Sequence, residues 1–296
     1  VTAKIAAALF QILAVSAIAF FLFSVVPGDF YSSDQLNAQL QGRTLEQWRS
    51  AHGLDRPWPL RYARWIASCA RGDFGDSIAY GMPVSRVIGP RLARTARIVS
   101  ASWMIGWMLA IALAIWAARR RFGIIESAMT IANMIPEVIV VSILLWIAIG
   151  LRMPIDGPSL ASIGLIVAVV PLVFLHAFRS LSSARDLNFV RVVESRGVTP
   201  SRLWGRFILP ASANPLISLA GPSLAAAIGS SLVIEALTGY PGLGPLFLEA
   251  VHARDYEIVQ TVIVLLAAIL TFTNLAAELF LFRLDPRIRL PRYGAS

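Results

Sequence analysis

Two pairs of polar residues interrupt otherwise apolar stretches at a spacing with chemical consequences: Asn133 with Glu137, and Asn274 with Glu278, each four apart. On a continuous helix such a pair shares one face. An ionisable group near the centre of a bilayer costs at least about 2.5 kcal/mol, so each face is expected to meet protein or water and not lipid. For Asn133 and Glu137, near the middle of their stretch, two readings stand open: lining a path through the membrane, or a satisfied hydrogen bond between helices. Glu278, near the end of its stretch, reads as structural. No constellation for hydrolysis is present, since the chain has neither HExxH nor a GxSxG elbow. A phosphate-binding P-loop needs a lysine after a glycine-rich turn, and the only lysine, Lys4, instead precedes an apolar run. Cys69 is the single cysteine, which excludes an internal disulfide and a multi-thiolate zinc site. His52, His176 and His252 lie far apart with no metal-ligand spacing.

The elements that carry these residues are apolar. Hydrophobic residues make up 57% of the 296 and charged residues only 15%, well below the roughly 25% charged of a soluble domain. Several runs reach the about 20 residues that cross a bilayer. The first, Ile5 to Val26, ends at Pro27-Gly28-Asp29. It exceeds the roughly 7 to 15 residues of a signal-peptide core and lacks a small-x-small exit, so it reads as a retained transmembrane helix. Five more spans are expected at Ile98 to Ala118, Ile124 to Ile149, Leu160 to Phe178, Pro215 to Ile234 and Ile258 to Phe282. The fold class is therefore an all-α membrane protein of six transmembrane helices, with an extracytoplasmic helical insertion after the first. Its segments would be residues 1–26, the extracytoplasmic 27–97, and a five-helix core 98–296 with a cytoplasmic loop at 179–213. Within 27–97, Leu45 to Ser50 and Pro59 to Ala70 look helical. The second carries Tyr62, Trp65 and Ile66 at helical spacing, and Trp58 precedes it. Either packing in a small helical unit or lying at the membrane interface fits them.

The formal net charge of +9 raises the question of nucleic acid. Placement answers for topology instead. Six spans put both termini on one side, and that side holds Lys4, Arg119 to Arg121, six arginines between Arg179 and Arg206, and four from Arg283 to Arg292. The opposite short loops hold only Arg152 and Arg254. By the positive-inside rule both termini are cytoplasmic, and no nucleic-acid partner is expected. Proline and glycine interrupt spans at Pro136, Pro171, Gly221, Pro222 and Gly229. Kinked helices around a pathway and ordinary tolerated transmembrane prolines both account for them.

The cytoplasmic stretch from Arg179 to Pro210 is the most informative. It contains Glu194-Ser195-Arg196-Gly197-Val198-Thr199-Pro200-Ser201-Arg202, in which Thr199-Pro200 reads as a cap and first-turn proline opening a second short helix. Helix, glycine turn, helix is a shape suited to docking. An ordinary basic cytoplasmic loop is the alternative.

These residues resemble the permeases of peptide-type (dipeptide, oligopeptide, nickel) ATP-binding-cassette importers, which carry a cytoplasmic loop with a glycine followed thirteen residues on by Leu-Pro. Gly197 and Leu209-Pro210 match that pattern. The loop of that family often opens with Glu-Ala-Ala where this chain has Arg191-Val192-Val193, and Phe207 stands at a usual isoleucine. Further matches run along the chain: Pro27-Gly28-Asp29, Gly53-Leu54-Asp55-Arg56-Pro57, Gly72-Asp73-Phe74-Gly75 with Ser77, Pro83-Val84, Gly239 to Gly244, Ala253-Arg254-Asp255-Tyr256 with Val259-Gln260, and Asp285-Pro286-Arg287-Ile288-Arg289. The connection from Leu151 to Ser159 is shorter than that family often shows. The resemblance implies a non-catalytic subunit of the bacterial inner membrane that takes up peptides or a similar small solute by alternating access. Its implied partners are a second permease, two ATPase subunits holding ATP and Mg, an extracytoplasmic solute-binding protein and membrane lipid. This chain itself would hold no cofactor. The coupling loop would comprise Glu194, Ser195, Arg196, Gly197, Val198, Thr199, Pro200, Ser201, Leu209 and Pro210, with Asn133 and Glu137 as pathway candidates. Rival classes are a self-sufficient secondary transporter, for which no inverted repeat is visible, and a membrane-bound enzyme, for which the residues are lacking.

Overall fold

The computed structural model describes residues 2–25, 57–120, 123–152 and 154–284. The expected helix at Leu45 to Ser50 and the motifs at 27–29, 53–56 and 285–289 lie outside them. In chain order the elements are α1 (Thr2–Val25), α2 (Trp58–Cys69), the two-residue strands β1 (Asp76–Ser77) and β2 (Met82–Pro83), α3 (Val84–Arg120), α4 (Gly123–Met134), α5 (Glu137–Gly150), α6 (Gly157–Arg185), α7 (Asn188–Ser195) and α8 (Pro200–Leu203). A π turn at Trp204–Ile208 leads into α9 (Leu209–Thr238), followed by α10 (Leu243–His252) and α11 (Tyr256–Leu284). Among the described residues five helices are long and apolar enough to cross a membrane, and a sixth crossing follows if α4 and α5 count as one broken span. This is a multi-pass, all-helical membrane fold.

The chain forms two compact units. The first comprises Ala96–Tyr240 and the segment from Phe272 onward. Here α6 runs along α9, with α4 and α5 packed beside them. Lipid tails are as apolar as leucine, so burial alone gives little drive and close packing of small residues must hold such helices together. The geometry fits that requirement. At Gly164 a Cβ would stand 2.9 Å from a methyl of Val141 and 3.3 Å from Ile234, and at Gly221 it would stand 2.6 Å from the Cβ of Ala277. Around these approaches Leu165, Val173, Phe174 and Leu181 are fully buried, and Phe174 stacks on Phe178 at 5.7 Å. Trp103 and Trp107 both donate from Nε1 to the Ser223 hydroxyl, each at 3.0 Å.

The second unit comprises Thr2–Thr95 and Pro241–Thr271. In it α2 lies on α1 through Tyr62, whose hydroxyl is 2.7 Å from Ser16 Oγ and whose ring meets Phe20 edge-on at 5.6 Å. The hairpin of β1 and β2 pairs Asp76 with Pro83 and Ser77 with Met82. Val84, Leu243, Leu246, Ile258 and Val262 form its apolar core.

Three expectations are corrected. The helix that carries the second span begins at Val84, fourteen residues before the expected apolar start at Ile98. Its 37 residues make a helix of about 55 Å, far longer than the about 30 Å hydrocarbon layer, so its arginine-rich first turns extend beyond the apolar run. The helix of the fifth span likewise starts well before Pro215, which lies inside α9 together with Pro222. The third span is broken, with α4 and α5 meeting at 95° across Ile135 and Pro136. Pro136 has no N–H to give and drives the preceding residue out of helical geometry. Asn133 and Glu137 consequently sit on two different helices and share no helix face.

Candidate functional site

After α6 ends at Arg185, the helix α7 is anchored by the fully buried Val190. Its polar side faces water, where Arg191 meets Asp186 at 3.4 Å in an exposed pair worth at most about 1 kcal/mol. The chain then turns at Gly197 with φ +74, a left-handed conformation that glycine enters without the Cβ clash other residues meet. A Cβ at Gly197 would have no neighbour within 4 Å, so backbone conformation and not crowding within this chain calls for glycine. Thr199 flanks the next helix at φ −59 and ψ 143, with Pro200 in its first turn. The expected cap is only partly realised, because the Thr199 side chain makes no capping bond. The expected short second helix is also corrected: α8 continues through the π turn into α9 without interruption. In that turn the Leu209 N–H bonds the Trp204 carbonyl five residues back. Pro210, the next residue, has no N–H with which to continue the ladder.

Glu194, Ser195, Arg196, Gly197, Thr199, Pro200 and Ser201 are all exposed and Val198 is half-buried, so residues 194–201 form one continuous outward turn. Leu209 and Pro210 stand apart from it at the head of α9, with Leu209 half-buried and Pro210 exposed. Behind the turn Leu203, Trp204 and Ile208 are buried. The last turn of α3 is held here as well: Arg185 Nη1 donates to the Ala118 carbonyl at 3.3 Å, and the Arg119 guanidinium lies 5.2 Å from the centre of the Trp204 ring.

Glu137 opens α5 and accepts a hydrogen bond from Ser230 Oγ of α9 at 3.0 Å. Ser230 lies eight residues before Thr238, about 12 Å along the axis of α9. The carboxylate is half-buried, and among the described residues no cation approaches it within ion-pair distance. Of the two readings left open for Glu137, an interhelical hydrogen bond is present, and it leaves part of the carboxylate accessible. Asn133, across the break, is exposed. Asn274 lies against Gly221, its Oδ1 3.4 Å from where a Cβ would stand.

A second polar site went unassigned by residue reasoning. In the second unit the buried Asp255 accepts from Ser77 Oγ at 2.6 Å, from the Ala79 N–H at 3.1 Å and from the Ile258 N–H at 3.3 Å. Beside it Tyr80 donates to Glu249 at 2.8 Å, and Arg91 stands 3.8 Å from the same carboxylate. Burial, followed by the hydrogen bond to Glu249 and its negative charge, raises the Tyr80 pKa. The available signal was an aspartate directly ahead of an apolar run, the mark of a helix cap. Its partner Ser77 lies 178 positions away. Burial and then the Asp73 charge push the Cys69 thiol up to about 11, which leaves it a protonated, weakly reactive thiol at neutral pH. Among the described residues no group of three or more His, Cys, Asp or Glu is placed to hold a metal.

Comparison with known proteins gives a consistent result. The sequence model of the family described as "Binding-protein-dependent transport system inner membrane component" matches residues 104–290. A companion, "Binding-prot-dependent transport system membrane comp, N-term", matches residues 1–97. The "Probable peptide ABC transporter permease protein y4tP" of Sinorhizobium fredii is 26% identical over 295 residues, covering 91% of this chain and 92% of that protein. The "Oligopeptide transport system permease protein AppB" of Bacillus subtilis is 24% identical, covering 94% and 95%. The "Dipeptide transport system permease protein DppB" of Lactococcus lactis subsp. cremoris is 26% identical, covering 92% of each. Among solved structures, the inward-facing MetNI methionine ABC transporter aligns over 67% of this chain and 96% of its own, with TM-score 0.59 and 16% identity. That likeness speaks for the fold alone.

Proposed function

Because the chain belongs to the family of inner-membrane components of binding-protein-dependent transport systems, we propose that it is the permease subunit of an ATP-driven importer of peptides or similar small solutes. The observation that carries the substrate class is the set of relatives named for peptide, oligopeptide or dipeptide transport, each aligned over more than nine tenths of both chains. In this reading the permease and a second, related permease form the pathway between them by alternating access. Two separate ATPase subunits hold ATP and Mg, and an extracytoplasmic binding protein delivers the solute. The chain is not itself catalytic, and both termini face the cytoplasm. Residues 27–97 form the extracytoplasmic segment, and 98–296 the permease core.

The ATPases would dock on the outward turn at 194–201, with Leu209 and Pro210 at the base of the helix it drives. Support comes from the exposure of that turn, from the left-handed Gly197 that shapes it, and from its direct continuation into α9. Closure of the ATPases would displace the turn and, through α9, the membrane helices packed on it. Glu137 and Asn133 would line the pathway at the break in the third span, where a half-buried carboxylate at membrane depth needs protein or water beside it. Purification of the native complex in mild detergent, with its subunits and bound solute identified by mass spectrometry, tests the proposal. A partner permease, two ATPases and a peptide are expected. A chain that purifies alone, or with unrelated proteins, would remove it.

A further inference from the structure

We propose that Arg119 and Trp204 act as positioning residues that carry movement of the cytoplasmic turn into α3. This inference rests on the coupling role proposed above for residues 194–201. A span such as α3 could end freely in the cytoplasm. Its last turn is instead tied down twice, by Arg185 on the Ala118 carbonyl at 3.3 Å and by the Arg119 guanidinium 5.2 Å from the centre of the Trp204 ring. The first contact satisfies a carbonyl that the helix end leaves without a partner, and both place a cation where the helix dipole favours one. Trp204 itself is only 5% exposed although it stands three residues past the exposed Ser201. The Trp204 ring is buried while Arg119 is itself exposed, so the contact is a cation–π interaction in which a solvated guanidinium meets a fixed indole face.

The location of Trp204 in the backbone makes it more than an anchor. It is the first residue of the π turn, and its carbonyl accepts the Leu209 N–H five residues on. A π turn is an irregularity often found at functional sites. It gives the helix a point at which α8 can rotate relative to α9 while both stay helical. Trp204 is therefore the residue at which the outward turn, the irregular bond and the end of α3 meet. Displacement of the turn would rotate the indole, and Arg119 would follow it, drawing α3 along with α9. Without the contact, the turn would move α9 and leave α3 behind.

The test uses the complete complex, with partner permease, ATPases and binding protein, in proteoliposomes, reading solute taken up per ATP hydrolysed and retention of the ATPase subunits. Arg119→Gln and Trp204→Leu should each lower that ratio about tenfold, which is about 1.4 kcal/mol of coupling, with ATPase retention unchanged. The double variant should fall no further than either single, because both remove one contact. Arg119→Lys should stay within about twofold of wild type, as should Arg120→Gln, which removes the same charge from the same helix end. A wild-type ratio in Arg119→Gln, an equal loss in Arg120→Gln, additive losses in the double variant, or loss of the ATPases would each overturn the relay. Should Trp204→Leu fail to accumulate in the membrane, Trp204→Phe carries the same cycle. A smaller loss, about threefold, absent in the Arg119→Gln background is then expected, and additive losses would again overturn the relay. Gly197→Val in the same assay separates the two levels. If it uncouples while the relay variants are silent, the relay alone is wrong, and if it too behaves as wild type, the coupling role of the turn is wrong.

Discussion

Replacing Gly197 tests what the turn at 194–201 needs. Its φ of +74 lies in the left-handed region, and a Cβ there would touch nothing within 4 Å in this chain. Any penalty inside the subunit is therefore backbone strain, about 1 to 2 kcal/mol for an ordinary residue and toward about 3 kcal/mol for a β-branched one. Asparagine tolerates this conformation far better. At 1.4 kcal/mol per tenfold, Gly197→Ala should reduce the properly formed turn up to about thirtyfold relative to competing conformations, and Gly197→Val up to about a hundredfold. Gly197→Asn should cost little. The assay is retention of the ATPase subunits on affinity-purified permease, with binding-protein-stimulated hydrolysis and uptake measured on the same preparations. The expected order is wild type, then Asn, Ala and Val, with membrane insertion constant throughout. An Asn variant as defective as Val would mean that close approach of a partner, and not φ, selects glycine. Wild-type behaviour of the Val variant would refute the reasoning, and the segment would revert to a basic topology signal.

Other outcomes follow from the packing and polar contacts. Gly221→Ala would bring a Cβ to 2.6 Å from that of Ala277, so it should lower stability in detergent by about 1 to 3 kcal/mol, read as faster thermal inactivation, and Ala277→Gly should restore it. Glu137→Gln keeps an acceptor for Ser230 while removing the charge. It should change uptake with assembly and basal hydrolysis intact, whereas lost assembly without a selective transport defect would make the contact purely structural. Alkylation of Cys69 should be slow at neutral pH and rise about tenfold per pH unit toward pH 11, because only the thiolate reacts and its pKa is pushed up to about 11. A rate that levels off near pH 9 would show an unperturbed thiol.

Much of the fold was legible because lipid imposes a simple demand: long apolar helices with arginines outside them. The family resemblance, resting on motifs such as Gly239 to Gly244 and Gly72 to Gly75, agrees with the family matches over residues 104–290 and 1–97. The break at Pro136 was harder to read. Its proline was visible, but the apolar run continues through it, and composition does not distinguish a kink from two helices meeting at 95°. The early start of α3 was hidden for the opposite reason. Arg86, Arg91, Arg94 and Arg97 end the apolar run, yet in water they are compatible with helix, and hydropathy records only the part that meets lipid. The Ser77 and Asp255 contact was out of reach, since a hydrogen bond across 178 positions leaves no period in the sequence. At the turn of residues 194–201, Gly197 and Pro200 were legible from local backbone chemistry, while the burial of Trp204 and its contact with Arg119 arise only from tertiary packing.

The central claim is that this chain moves solute only as the membrane part of an ATP-driven assembly. The direct measurement is peptide accumulation in proteoliposomes that contain this permease, its partner permease, the ATPases and the binding protein, compared with liposomes lacking the ATPases and with liposomes containing this chain alone under a proton or sodium gradient. Accumulation that needs ATP hydrolysis and every subunit is the predicted result, and uptake by the lone chain under the ion gradient would contradict it.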